Sequence, residues 1–170
     1  MPGHVHAYYG TGVGKTSRAA GLALRSVGAG KRVSFVQFLK DGTSSEIRAL
    51  KRCGDIDYHA TGTDGFIGDR APTPREMGFG SKGLLWCFEA LERGYDLIIA
   101  DEILNAWGLG IVTMDDLKDL IAHKPPEADL VMTGRPCPKE ILSCCGYATE
   151  FVHVAHPYDN GHEPRKGIDY

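Results

Sequence analysis

The sequence predicts an α/β protein, a mostly parallel sheet flanked by helices. Three observations carry this expectation. Short apolar runs alternate with helix-patterned stretches along the chain, the order that builds a parallel sheet with crossover helices. A glycine-rich turn follows the first run directly and opens onto a helix. One run, Leu97-Ile98-Ile99-Ala100, is apolar at consecutive positions, which suits a central strand covered on both faces. At 170 residues the chain reads as a single domain over 1–170, large enough for a full core.

The elements follow in order. His4 to Tyr9 alternates and is the first strand, and Gly10 to Gly14 is the turn. Lys15 to Val27 is a helix, because Ala19, Ala20, Ala23, Leu24 and Val27 recur at spacings of three and four. Gly28 and Gly30 end it. Arg32 to Leu39 is a strand rich in β-branched and aromatic residues. Ser45 to Arg52 is a short helix and Asp55 to Ala60 a third strand. Glycines and the prolines Pro72 and Pro74 punctuate Gly62 to Gly83, so this stretch is expected to be a working loop, helical only near Arg75 to Met77. Leu84 to Arg93 is a helix closed by Gly94, and Asp96 to Ala100 the central strand. Asp115 to His123 is a helix, Asp129 to Thr133 a strand, Pro138 to Cys144 a helix and Ala148 to Ala155 a last strand, followed by an irregular tail.

Composition narrows the function classes. Apolar residues make up 42% and charged residues 24%, ordinary for a globular chain. The net charge of -3 does not suggest a broad basic surface for nucleic acid. No apolar run approaches the roughly 20 residues of a membrane helix, and the start Met1-Pro2-Gly3-His4 has no signal-peptide pattern. Cys53, Cys87, Cys137, Cys144 and Cys145 are odd in number and lack a C-x-x-C pair. They read as reduced, partly buried thiols in a cytoplasmic protein rather than as a disulfide framework or a zinc site.

Three places carry chemistry. The first is the loop Gly10, Thr11, Gly12, Val13, Gly14, Lys15, Thr16. Its glycines let several N–H groups turn toward one anion, and the following helix adds its positive end. Lys15 supplies a mobile cation to the phosphates of ATP and Thr16 a hydroxyl for Mg²⁺. Tyr9 stands six residues before the lysine, where glycine is usual. The second place is Asp101-Glu102, at the end of the apolar run, where an acid holds Mg²⁺ directly or through water. The competing reading of Asp101 is a helix cap. The third is Thr133-Gly134-Arg135, where Arg135 either clamps phosphate oxygens or forms a surface ion pair.

Other conspicuous residues weigh less. His153 and His156 make a poor metal pair, and packing or hydrogen bonding is favoured for them. Trp86 and Trp107 read as core or rim. Phe66, an aromatic inside a glycine-rich loop, has little core to fill, which leaves a ligand or lid role open.

Taken together, the phosphate loop, Val-Gln-Phe-Leu-Lys (36–40), Ala-Thr-Gly (60–62), Asp101-Glu102, Thr-Gly-Arg (133–135) and the closing His-Pro-Tyr and Gly-Ile-Asp-Tyr segments resemble the ATP:corrinoid adenosyltransferases of the phosphate-loop type. The resemblance runs from Tyr8 to Tyr170. It implies a P-loop NTPase (RecA-like) fold and transfer of the 5′-deoxyadenosyl group of ATP to the Co(I) of a corrinoid, either cob(I)alamin or cob(I)yrinic acid a,c-diamide, with release of triphosphate. It implies triphosphate contacts from Gly10, Thr11, Gly12, Gly14, Lys15 and Thr16, with Val13 and Ser17 beside them. It further implies Mg²⁺ (or Mn²⁺) held by Thr16 and Glu102, and places Arg25 and Arg135 near the nucleotide. A homodimer is implied, with a reductase or flavodoxin as a possible electron source. Lys15, Thr16, Glu102 and Phe66 are the residues expected to serve transfer. Two departures stand out. The family's loop commonly has lysine where Val13 stands, and its aromatic pair after Ala-Thr-Gly is replaced here by Thr63, Asp64 and Gly65, with Phe66 the nearby aromatic. The alternatives are a small phosphate-loop kinase or NTPase, which would need a positioned base, and a non-catalytic nucleotide- or corrinoid-binding homologue.

Overall fold

The computed structural model describes residues 2–62 and 70–169. Strands β1 (Val5–Tyr9), β2 (Val33–Phe38), β3 (Ile56–Thr61), β4 (Leu97–Asp101), β5 (Asp129–Gly134) and β6 (Tyr147–Glu150) form one sheet in the order β3-β2-β4-β5-β1-β6. Every pairing is parallel. Helices α1 (Lys15–Gly28), α2 (Ser45–Leu50), α3 (Pro74–Glu92), α4 (Ile103–Gly108), α5 (Met114–His123) and α6 (Lys139–Leu142) connect them, and a 3-10 turn spans Pro157–Asn160.

The pleat sends alternate side chains into two cores. On one face Val33, Phe35, Leu97, Ile99 and Val131 pack with Ala19, Ala20 and Ala23 of α1 and with Ile47 and Leu50 of α2. On the other, Val36, Phe38, Ile98, Ala100, Leu130 and Met132 meet α3, α4 and α5. All five residues of β4 are buried, as a doubly covered strand requires. The carboxyl ends of β1, β4 and β5 therefore open on one edge of the sheet, where such folds bind ligands.

The structure corrects two boundaries and adds a helix. Helix α3 begins at Pro74, not near Leu84. Thr73 and Glu76 form a reciprocal capping box, and Pro74 occupies the first turn, where its missing N–H costs nothing. Two of the glycines that look like breakers, Gly80 and Gly83, serve packing. A Cβ on Gly83 would lie 2.5 Å from the Phe38 ring, and one on Gly80 would strike Ile111. Helix α4, with no counterpart in the sequence reading, fills Ile103–Gly108. Strand β6 stops at Glu150 instead of running to Ala155, because the chain turns there to cross the loop after β1.

Candidate active site

The loop after β1 has the backbone its glycines imply. Gly10 and Gly14 lie at φ 107 and φ 104, a region that costs a residue with a Cβ heavily. Gly14 precedes α1 with no side-chain cap, so the first-turn amides are left for an anion. The chain beyond β6 forms the wall behind the loop. Phe151 N–H donates to the Tyr9 carbonyl and Gly12 N–H to the Phe151 carbonyl, each at 2.7 Å. A Cβ on Gly12 would meet the Val152 carbonyl at 2.7 Å. Lys15 folds back and donates to the Gly12 carbonyl at 2.7 Å. Partial burial lowers its pKa, opposed chiefly by Glu102, while Arg135 adds to the lowering. The ammonium is thus held in a partly desolvated, mixed field beside the loop, where an added polyanion would strengthen its charged form.

The acidic end is assembled from three strands. Asp101 is 0% exposed. One carboxylate oxygen accepts from Thr133 Oγ1 at 2.6 Å, and the other from Gln37 Nε2 at 2.9 Å. Thr16 Oγ1 faces both oxygens, at 3.1 and 3.2 Å. Because the Thr16 hydrogen is directed to Asp101, its lone pairs are free to face a cation. Glu102 sits in the left-handed region at φ 64, and its N–H donates to Thr133 Oγ1 at 2.9 Å. A non-glycine residue held there needs a surrounding structure that fixes it. Burial and Asp101 push the Glu102 carboxyl above its ordinary range, against Lys40, Lys15 and Arg135. Lys40 Nζ lies 3.7 Å from its carboxylate. Asn105 Nδ2 donates to Glu102, while Asn105 Oδ1 accepts the N–H of Arg135. One amide thereby joins the acid to the arginine. Hydroxyl and carboxylate oxygens around one opening are the donor set that suits Mg²⁺ or Mn²⁺. Among the described residues no cluster of three or more His, Cys, Asp or Glu could hold a metal alone.

The sequence model of the family described as ATP:corrinoid adenosyltransferase BtuR/CobO/CobP matches residues 2–170. The chain belongs to this family. Its corrinoid adenosyltransferase relatives from Escherichia coli K12 and Salmonella typhimurium are each 28% identical, over 99% of this chain and 86% of their own length. A Nostoc relative, the uncharacterized protein all2391, is 30% identical over 92% of this chain, which spans only 46% of that protein's length. The flagellar accessory protein FlaH from Methanocaldococcus jannaschii shares the fold, at a TM-score of 0.60 and 17% identity over 88% of this chain and 71% of its own. Membership makes ATP-dependent adenosyl transfer to a corrinoid the activity that this family's geometry must explain.

Within the adenosyltransferase frame, Lys15 and Thr16 open α1 at the loop, Thr16 bonds Asp101 beside Glu102, and Arg135 lies close enough to act electrostatically on Lys15 and Glu102. Val13 and Ser17 are exposed beside the loop. Arg25 does not join them in this chain. It lies in the last turn of α1, about 15 Å along the helix from Lys15, and lines a separate cavity with Arg18, Tyr8 and Asp129. Phe66 and Thr63 to Gly65 lie outside the described residues. Trp86 stacks on His59 at 4.2 Å, and Trp107 packs against the core. His153 bonds Asp159 at 2.7 Å. Sequence reasoning missed Gln37 and Asn105 as site residues, and it left Thr133 as part of a motif without a role. Gln37 had a signal, an amide in an otherwise largely apolar strand. Asn105 had none, since it lies on the unpredicted α4.

Proposed function

We propose that the chain transfers the 5′-deoxyadenosyl group of ATP to the Co(I) of a corrinoid and releases triphosphate. The observation that carries this reading is an uncapped helix start on a glycine loop beside an acid whose oxygens are already occupied. The Asp101 oxygens already accept from Thr16, Gln37 and Thr133, so the carboxylate beside Thr16 is poorly placed as the general base a kinase would need. Adenosyl transfer needs none. The Co(I) electron pair forms the bond to C5′, the C5′–O bond breaks, its electrons pass to the triphosphate oxygen, and no proton moves.

The chain's own task is alignment and charge stabilisation. The loop amides and the α1 terminus hold the triphosphate, with Gly10 to Thr16 around it and Ser17 at the helix start. Lys15 leaves the Gly12 carbonyl for the phosphates, and Arg135 approaches from β5. Thr16 and Glu102 would hold Mg²⁺, which when bound supplies charge neutralisation to the leaving group. Phe66 is assigned to the corrinoid side. The protein works as a homodimer in the cytoplasm, and a separate reductase or flavodoxin supplies Co(I).

The test is incubation with MgATP and chemically reduced cobalamin, following the spectrum for a cobalt–carbon bond and assaying the phosphate product. Triphosphate that appears only with reduced corrinoid is the expected result. ADP alone, whatever cobalt species is offered, would overturn the reading.

A further inference from the structure

Buried polar side chains in a strand interior are costly unless fully paired. Gln37 is 0% exposed and stands opposite Asp101 in the β2–β4 register. Its Nε2 donates to Asp101 at 2.9 Å. Its Oε1 accepts from Tyr58 Oη at 2.8 Å. Because a phenol donates readily while the carboxylate can only accept, the two partners together fix which end of the amide faces which.

The geometry points to Gln37 and Tyr58 as a positioning pair that locks the Asp101 carboxylate for Thr16, and through it for the metal side of the nucleotide site. The inference rests on the reading of Thr16 as a metal-side ligand. Thr133 from β5 anchors one Asp101 oxygen and Gln37 from β2 anchors the other. Held from both neighbouring strands, the carboxylate cannot turn away from the Thr16 hydroxyl, which lies nearly equidistant from its two oxygens. A lysine or arginine in place of Gln37 would neutralise Asp101. A neutral amide orients it and leaves its charge to act on Thr16 and the cation.

Tyr58 is itself held. Lys51 Nζ lies 4.6 Å from its ring and reaches the Gly42 carbonyl at 3.4 Å. Gly42, at φ 78, leaves the phenol room: a Cβ there would come within 2.6 Å of Tyr58 Oη. The turn after β2 thus closes over the hydroxyl that sets the Gln37 amide. The path from both residues to Thr16 runs through Asp101.

The experiment compares wild type with Gln37→Met, which keeps the length but removes donor and acceptor, and Tyr58→Phe, which removes only the hydroxyl. ATP binding is measured by calorimetry across a Mg²⁺ series, with Mn²⁺ as a second metal, and ligand-free melting is recorded alongside. Gln37→Met is expected to raise the half-saturating Mg²⁺ concentration about tenfold, the usual scale for removing a group behind a ligand. Affinity for ATP measured without metal should stay within about twofold. Tyr58→Phe should raise the metal requirement about threefold. An unchanged metal requirement in a folded Gln37→Met protein overturns the inference, whatever its melting temperature. If Gln37→Met does not fold, Tyr58→Phe decides by the same measurement, a rise supporting the pair and no change refuting it. If wild type itself shows no metal-dependent ATP binding, the nucleotide-site reading fails first and the pair falls with it.

Discussion

The Phe151 carbonyl accepts the N–H of Gly12 at 2.7 Å, so the chain leaving the last strand is built into the wall of the phosphate loop. Gly10 belongs to the same contact. A Cβ there would approach the Phe151 carbonyl oxygen to 2.5 Å, at a φ of 107. Gly10→Ala is therefore expected to destabilise the fold by about 1–3 kcal/mol and to weaken ATP binding as well. Thermal melting and ATP titration check both, and a melting temperature equal to wild type would contradict the packing described.

Lys15→Ala removes the mobile cation of the loop. Loss of one such stabilising group costs about 3 kcal/mol in a transition state, two to three decades in rate. Single-turnover adenosylation at saturating ATP measures it. Near-normal rates would remove Lys15 from the triphosphate.

Glu102 carries a pH signature. Its pKa is raised in the fold, first by burial and then by Asp101. Folding thus favours its protonated form. Stability from this group is fully present below the ordinary carboxylate value and is lost as pH rises through the raised one. Glu102→Gln imitates the protonated side chain. The ligand-free variant should melt about 1–3 °C above wild type near pH 8, and the gap should close in acid. The same variant should need about tenfold more Mg²⁺ to bind ATP. A lower melting temperature at pH 8 would show that the Lys40 pairing outweighs burial.

Val13 is 68% exposed at the tip of the loop. Val13→Lys restores the cation common in the family and should tighten MgATP about two- to fivefold at low salt, the scale of an exposed ion pair. The gain should fade in high salt. Tightening that persists in high salt would argue against a screened contact.

Phe66→Ala tests the corrinoid side. It should slow adenosylation much more than it weakens ATP binding, by about tenfold or more against less than twofold, given what a packed aromatic contributes. Equal losses would take Phe66 off the corrinoid face.

The sequence made the nucleotide side legible because its signals are local. Glycine spacing fixes the loop, and a run of consecutive apolar residues fixes β4. The remainder depends on contacts distant in sequence. Gly80 and Gly83 look like breakers until Ile111 and Phe38 fill the space against them. Six-residue α4 carries no periodic pattern, so Asn105 stayed hidden with it. The register that sets Gln37 across from Asp101 is a property of the sheet and of neither strand alone. Arg25 shows the reverse case, where likeness to a family suggests proximity and the rise of α1 from Lys15 to Arg25 sets a distance.

Asn105 grips Glu102 with one end of its amide and the backbone of Arg135 with the other. Acid and arginine are thus yoked by a single planar group. On the proposed reading, with Arg135 at the triphosphate and Glu102 at its cation, a displacement of one residue is passed to the other through that plane. Product should let go of both at one stroke, in a single release phase rather than a stepwise unfastening.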